Sequence, residues 1–206
     1  MIAIVGAGPV GCYSAYLLAK KGFQVEIFEQ ASVIGKPVQC TGIVTSWLEK
    51  HVEGDFVINK TNKAKISCKK EIFLNINENL IIDRTLFDRH LAKMAEAAGA
   101  KIHFKQKLKG IKDKKLIFKN KQVKPDIIIG ADGPNSIVAK HIGVEHEFFK
   151  GLQVRAEYKN NNVVEFYPCI GDFGWVVPES EKIVRIGVVA RKNPKPSLKK
   201  LIEKTK

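Results

Sequence analysis

Residues 2–29 read IAIVGAGPVGCYSAYLLAKKGFQVEIFE, and this stretch decides the fold. Four apolar residues, Ile2 to Val5, run into Gly6, Gly8 and Gly11; an amphipathic segment continues to Lys21, and a second apolar strand, Val25 to Phe28, ends at Glu29. This is the pattern of a βαβ unit carrying G-x-G-x-x-G. Gly6 allows the tight turn out of the strand, Gly8 lets backbone approach a pyrophosphate, and Gly11 lets helix and strand pack closely. The phosphates then sit at the positive end of the helix dipole. A carboxylate at Glu29, at the tip of the second strand, can accept both hydroxyls of an adenosine ribose and would repel a 2′-phosphate. That favours FAD or NAD over NADP.

The chain is long enough, at 206 residues, for one large domain or two small ones, and its 45% hydrophobic content suits a soluble globular protein. The outlier is a net charge of +14, which favours contact with nucleic acid, anionic lipid or phosphorylated ligands. The lysines are spread along the chain, so solvated lysine faces fit equally well. No nucleic-acid signature accompanies them, and no nucleic-acid partner is expected. Cys12, Cys40, Cys68 and Cys169 lack the close paired spacings of a metal site, so no metal is expected and reduced cytoplasmic thiols are. The first strand begins at once and is followed by glycines and Pro9, unlike a signal peptide. No apolar run approaches the length of a membrane span, so a cytoplasmic protein is expected, with any membrane role peripheral to the inner face.

After Glu29 a long connection, residues 30–45, contains Lys36, Pro37 and the run Gln39-Cys40-Thr41-Gly42. Connections of this length tend to be functional. Gly42 would let backbone approach a flat ring, and Lys36 could neutralise phosphate; a solvated lysine and a small packing cysteine are the plainer readings. Short apolar pieces at 56–58, 64–68 and 72–76 read as short antiparallel strands. The segment 85–98 places Leu86, Phe87, Leu91, Met94, Ala95 and Ala98 on one helical face, closed by Gly99. Arg84, at its start, is either a cofactor contact or a partner for Asp88 one turn on. Residues 107–123 read as a small meander. Then DIIIG, 126–130, reads as a buried parallel strand running into Ala131-Asp132-Gly133-Pro134-Asn135-Ser136, where ligands gather in open α/β sheets. Asp132 as a plain turn or cap residue competes with that reading. From Gly151 the pattern changes to antiparallel strands at 152–158, 163–168, 173–177 and 183–190, and 194–206 begins a basic helix.

Four stretches now coincide in order: IVGAGPVG with Glu29, DRTLFDRHLAKMAEAAGA, DIIIGADGPNS, and FGWVVPESEKIVRIGVV. Together they resemble the FAD-dependent geranylgeranyl reductases, flavoproteins of the para-hydroxybenzoate hydroxylase (glutathione reductase-2) type. The fingerprint and GADG are shared with aromatic hydroxylases and halogenases. Two pieces discriminate. Pro37-Val38-Gln39-Cys40-Thr41-Gly42 is similar to the family's cysteine loop against the isoalloxazine ring, with Thr41 in place of a small residue. Phe173-Gly174-Trp175-Val176-Val177-Pro178 followed by Gly187 is similar to the family's Y-x-W-x-F-P…G-x-G lipid-cavity signature. There Phe173 stands for tyrosine, Val177 for phenylalanine and Val189 for the second glycine.

The resemblance implies an α/β fold with a Rossmann-like FAD-binding domain over 1–150, carrying small β inserts near 56–79 and 107–124, and a partial antiparallel substrate domain over 151–206. It implies that Gly6, Gly8, Gly11 and Cys12 hold the pyrophosphate, Glu29 the ribose, Arg84 and the backbone near Leu108 the adenine end, and Cys40, Thr41 and Gly42 the ring side. Asp132 would lie near FAD and its nicotinamide donor. Phe173, Trp175, Pro178 and Gly187 would bind substrate, and Cys40 would assist catalysis. The activity implied is reduction of prenyl double bonds of membrane lipids, with reduced nicotinamide or ferredoxin as donor and an anionic membrane surface as partner. In this fold the chain returns to the dinucleotide sheet with a Gly-Asp strand, and residues 151–206 contain no such return. A fragment, a shortened homologue, or a protein completed by a complementing C-terminal chain is therefore expected. The alternatives are a flavin monooxygenase of an aromatic substrate and a catalytically incomplete FAD-binding module.

Overall fold

The computed structural model describes residues 1–38, 40–145 and 147–205. Gln39 of the expected ring-side loop and Lys206 of the expected C-terminal helix lie outside the described residues. In chain order the first elements are β1 (Ile2–Val5), α1 (Pro9–Lys20) and β2 (Val25–Phe28). β3 (Ile43–Thr45), a 3₁₀ turn (Ser46–Lys50), β4 (Val57–Ser67) and β5 (Glu71–Ile82) follow. Next come α2 (Arg84–Ala97), β6 (Lys101–His103), β7 (Gly110–Lys112), β8 (Lys115–Ile117), β9 (Gln122–Val123), β10 (Ile127–Gly130) and α3 (Ile137–His141). The last are β11 (Lys150–Glu157), β12 (Val164–Tyr167), β13 (Phe173–Pro178), β14 (Ile183–Ala190) and α4 (Lys195–Lys204). They form two compact units, 1–38 with 84–147 and 39–83 with 148–206.

The first unit is built on a four-stranded parallel sheet in the order β10-β1-β2-β6. Every residue of β1 is buried, as its unbroken apolar run requires. α1 turns Gly11, Ala15 and Ala19, four apart, and Cys12 inward, small residues that allow close packing. α2 packs beside it through Phe87, Leu91, Ala92 and Ala95, and a left-handed Gly99 ends the turn that follows it. Leu86 and Met94, expected on the inner face, are exposed and half-buried. The meander β7-β8-β9 packs Leu108, Leu116 and Phe118 on Phe28, Val5 and Val138. β10 differs from the expected buried strand: it forms one edge of the sheet, with Ile127 54% exposed. Its apolar run alone could not distinguish a flanked strand from an edge strand.

The second unit is a seven-stranded mixed sheet in the order β11-β14-β13-β12-β4-β5-β3. This corrects the expected boundary at residue 150: residues 39–83 are not an insert of the dinucleotide domain but belong to the sheet formed by 148–206. The reason is a parallel pairing between β12 and β4, Val164↔Ala64 to Phe166↔Ile66, across a hundred residues of chain that no local pattern reveals. The expected short strands at 56–76 are one long hairpin: the break between 58 and 64 holds register shifts at Val57/Asn59 and Thr61/Lys63, and the break between 68 and 72 is the hairpin turn. One face of the sheet carries Tyr167, Val176, Val184, Ile186 and Val188, closed by Leu198 and Leu201 of α4. The opposite face carries Val164, Trp175 and Val177 with Ile81. No helix among the described residues is long and apolar enough to cross a membrane.

The expectation of four reduced thiols is also corrected. Cys68 and Cys169 form a disulfide. The β4–β12 pairing sets the residue after β4 beside the turn after β12, so the two thiols meet although 101 residues separate them. Reduction, or Cys68→Ser, is expected to lower stability by about 2 kcal/mol, the lower end for a native bridge because the strands already pair. Urea unfolding with and without dithiothreitol measures it; coincident curves would show that the bridge adds nothing.

Candidate functional site

In the first unit the turn between β1 and α1 is built on three glycines with three different tasks. Gly6 has φ of +100°, and a Cβ there would sit 2.3 Å from the Ala131 carbonyl oxygen. A Cβ on Gly11 would lie 2.0 Å from the Gly6 oxygen, so that position closes the packing of helix on turn. Gly8 is unlike both: nothing lies within 4 Å of a Cβ built on it. It is the N-cap of α1, with no side-chain cap, no acidic residue in the first turn, and Pro9 following. The helix therefore presents uncapped N–H groups and its positive end to open space, which suits a pyrophosphate.

Glu29 ties this turn to the end of β2. Its Oε2 accepts the Ala7 N–H at 2.7 Å and its Oε1 the Ala31 N–H at 2.7 Å. A carboxylate has about four acceptor positions, so both oxygens can still take a ribose hydroxyl. Residues 105 and 106 run alongside, their N–H groups donating to the carbonyls of Ala31 and Glu29, while the Leu108 side chain is buried in the core. Because β1 and β10 are parallel neighbours, their C-terminal turns meet, and the Ala131–Asp132 backbone lies against Gly6. Asp132 is in the expected place, but its carboxylate accepts the Ser136 hydroxyl and the Ile137 N–H, capping α3.

Several expected contacts are committed elsewhere. The Cys12 thiol is buried beneath the turn and donates to the Ala7 oxygen at 3.3 Å; burial first, then the carboxylates of Asp88, Glu29 and Glu96, pushes its pKa up to about 12. Its side chain packs under the turn, and its backbone N–H donates to the Gly8 carbonyl within the helix. Arg84 makes a two-pronged pair with Asp88, Nε to Oδ1 at 2.9 Å and Nη2 to Oδ2 at 3.1 Å. Lys36 is exposed. The loop before it is pinned to α2 at Gly35, whose oxygen accepts the Thr85 hydroxyl at 3.1 Å.

In the second unit the loop of Cys40, Thr41 and Gly42 is clamped onto the sheet. Cys40 is the half-buried free thiol, the Gly42 N–H donating to its sulfur at 3.4 Å. Its carbonyl accepts Gln153 Nε2 at 3.1 Å, and Gln153 Oε1 accepts the Trp175 indole N–H at 2.9 Å. Arg185 Nη1 donates to the carbonyls of Thr41 at 2.7 Å and Ile82 at 3.1 Å. Its Nε pairs with Glu179, which Arg155 also engages. Burial pushes the Glu179 carboxyl up, but the two guanidiniums outweigh it and hold it below the ordinary value. Gly42, with φ of +74°, leaves room for this clamp: a Cβ would fall 1.9 Å from Arg185 Nη1.

The aromatic strand pair is divided between two faces. Trp175 lies across Gly187, where a Cβ would be 2.3 Å from the indole, and Phe173 stands 6.4 Å from that ring. Pro178, an even step along β13 from Val176, is on the α4 face and does not join them. The clamp of Arg185, Glu179 and Gln153 was not anticipated. Its one sequence signal is a lone arginine inside the apolar strand IVRIGVVA.

Comparison with known proteins agrees with this geometry. An NAD(P)-binding Rossmann-like domain model matches residues 4–44 and an FAD binding domain model matches 39–165. A digeranylgeranylglycerophospholipid reductase of Methanosarcina acetivorans is 29% identical over 91% of this chain and 53% of its own length. One of Methanosarcina mazei is 30% identical with the same coverage. The chain thus spans about half the length of these curated relatives. A geranylgeranyl bacteriochlorophyll reductase-like structure from Thermoplasma acidophilum superimposes with a TM-score of 0.86 at 25% identity, covering 98% of this chain and 61% of that one. The flavin-dependent halogenase CmlS shares the fold, with a TM-score of 0.71 at 17% identity over 97% of this chain and 43% of that one. The chain belongs to the FAD binding domain family of flavoproteins and, within it, groups with the geranylgeranyl reductases.

Proposed function

We propose that the chain is the dinucleotide-binding and substrate-binding part of an FAD-dependent oxidoreductase that reduces prenyl double bonds of a glycerophospholipid. The observation that carries this reading is the link from the Cys40 carbonyl through Gln153 to Trp175, which joins the ring-side loop to an aromatic sheet face. The names of the relatives support the substrate class. Bound FAD would supply the hydride chemistry.

The residues have separate tasks. The uncapped start of α1 and Glu29 hold the dinucleotide. Trp175, Phe173 and Gly187 offer apolar surface that keeps water from an unactivated double bond, which has no carbonyl to polarise and so depends on positioning. Cys40 serves the ring side, where its thiol can hold or pass a proton. Reduced nicotinamide or ferredoxin is the proposed donor, an anionic membrane surface the proposed location on the cytoplasmic side, and a complementing C-terminal segment the proposed partner.

The test is anaerobic. Reduced flavin on the chain, supplemented with the complementing segment of a relative, is expected to be reoxidised by a geranylgeranyl phospholipid and not by its saturated counterpart. Cys40→Ser is expected to keep flavin and slow the reoxidation by about 100-fold or more, the lower end for a lost proton-transfer group. Oxygen-dependent hydroxylation of an aromatic compound, with no response to prenyl lipid, would replace this reading with a monooxygenase.

A further inference from the structure

The Cys68–Cys169 bridge lies at the surface of the second unit, with Cys169 exposed and Cys68 half-buried. Its surroundings are cationic. Lys69 and Lys70 follow Cys68 in the turn between β4 and β5, where the Cys68 N–H donates to the Lys70 carbonyl at 3.1 Å, and both lysines are exposed. Lys204 of α4 adds a third charge one residue before Cys68, its Nζ 3.1 Å from the Ser67 hydroxyl oxygen. The acidic side chains nearby are already engaged. Glu71 pairs with Lys65 at 3.6 Å and accepts the Ser67 hydroxyl at 3.3 Å, while Glu165 pairs with Lys65 at 2.7 Å and accepts the Tyr167 hydroxyl. Asp172, three residues after Cys169, accepts the Arg191 N–H at 2.8 Å. Lys69 and Lys70 form no ion pair among the described residues.

The two segments that the bridge joins both carry α4. On the Cys169 side, Tyr167 and Ile170 pack with Leu198 and Leu201 of that helix. A Cβ built on Gly171 would lie 3.4 Å from Ser197, in the helix's first turn. On the Cys68 side, Lys204 in the last turn reaches Ser67, and it also stands 5.3 Å over the Tyr167 ring. The strand pairing between the two segments ends at Phe166↔Ile66, just short of the cysteines. Opening the bridge therefore frees the end of the sheet on which the helix stands.

We propose that Cys68–Cys169 is a thiol-exchange site that takes small anionic thiols and controls how firmly α4 is seated. A thiolate RS⁻ attacks the exposed Cys169 sulfur, forming a bond from that sulfur to SR and breaking the bond to Cys68. The electron pair leaves on Cys68 as a thiolate beside Lys69 and Lys70, whose charges make it the better leaving group. A second RS⁻ attacks the SR sulfur, giving RSSR and the Cys169 thiolate. Two RSH are thus oxidised to one RSSR while one protein disulfide is reduced to two thiols, and the two protons pass from RSH to the cysteines. RSSR runs the sequence backwards. Thiols bearing carboxylate or phosphate are favoured because the lysines gather anions at the site. With the bridge open, α4 loosens by local opening while the strands of the sheet stay paired.

The experiment uses the oxidised full chain with glutathione, coenzyme A and cysteamine as probes at equal thiolate concentration. Opening is read by alkylating the freed thiols and measuring the mass gained, with Cys40 as the thiol that is free throughout. Glutathione, with its carboxylates, and coenzyme A, with its phosphates, are each expected to open the bridge about ten-fold faster than cationic cysteamine, and high salt to remove the difference. Lys69→Ala with Lys70→Ala is expected to remove it as well. A lead by only one of the two supports the site and names its anion. The trapped mixed disulfide is expected on Cys169. Hydrogen exchange of the α4 amides is expected to quicken by about 30-fold on opening, the factor that matches the stability the bridge adds, with β1 unchanged.

Equal rates with anionic and cationic thiols, or a mixed disulfide confined to Cys68, overturn the anionic-thiol site. An α4 that exchanges equally slowly with the bridge open or closed overturns the control of the helix. Loss of every protected amide together on reduction overturns it too, because the bridge would then be a staple of the whole chain. Cys68→Ser with Cys169→Ser checks the same point without any thiol: fast exchange confined to α4 supports the proposal, and parental protection there overturns it. None of these readouts involves flavin or lipid, so their outcome is independent of the reductase reading.

Discussion

Gly8→Val is expected to give a normally folded protein that no longer holds FAD. Gly8 has φ of −71° and ψ of 178°, an extended conformation open to any residue. A Cβ there touches nothing, so valine costs the protein little. Its methyl groups would, however, stand in front of the uncapped start of α1, where pyrophosphate oxygens must meet backbone N–H groups. Losing two charge-assisted hydrogen bonds lowers affinity by roughly 100-fold or more. Flavin titration, with circular dichroism and thermal midpoint as controls, measures it. Gly11→Val gives the contrast. Its Cβ would overlap the Gly6 carbonyl oxygen, so there the fold itself is expected to fail. Full flavin content in Gly8→Val would place the dinucleotide elsewhere.

Arg185→Ala is expected to destabilise the chain by about 3–5 kcal/mol, the usual cost of removing one partner from a buried ion pair. Glu179 would keep only Arg155, a largely exposed partner, and the carbonyls of Thr41 and Ile82 would lose their shared donor. Lysine should not rescue it, because one ammonium cannot reproduce the planar fork that serves a carboxylate and two carbonyls at once. Two measurements follow. Urea unfolding reports the stability loss, and alkylation of Cys40 is expected to quicken as its loop loosens. Acid provides a further check. The folded state holds the Glu179 carboxyl below its ordinary value of about 4.5. Its contribution is therefore complete above that pH and is lost as pH falls through the folded pKa. Arg185→Ala should show a smaller loss of stability over that acid range than the parent chain. Unchanged stability at neutral pH and unchanged Cys40 reactivity would reduce the clamp to surface decoration.

Much of the geometry of the candidate dinucleotide turn was legible in the chain because it is local. The strand, the three glycines, the helix and Glu29 lie within residues 2–29, where spacing alone dictates which groups meet. The GADG turn was legible for a related reason, since an apolar parallel strand ending in glycine marks the carboxyl edge of a sheet. What it would do was not. Whether Asp132 faces a ligand or caps α3 depends on a short helix start, and there the capping bonds are made. Arg84 was ambiguous in the same way, and its geometry with Asp88 is that of a structural pair.

By itself, then, the sequence determined the βαβ unit, the carboxylate of Glu29 at the end of its second strand, the helices and the strand character of 151–190, all of which follow from periodicities of a few residues. Only the tertiary structure decided that β4 joins β12, and from that one parallel pairing come the second unit's composition and the Cys68–Cys169 bridge. The clamp on the Cys40 loop depends likewise on Arg185 and Gln153, more than a hundred residues away in the chain. Side chains on adjacent strands meet by register, and register between distant strands is fixed by how the whole sheet buries its two faces rather than by any pattern within one strand.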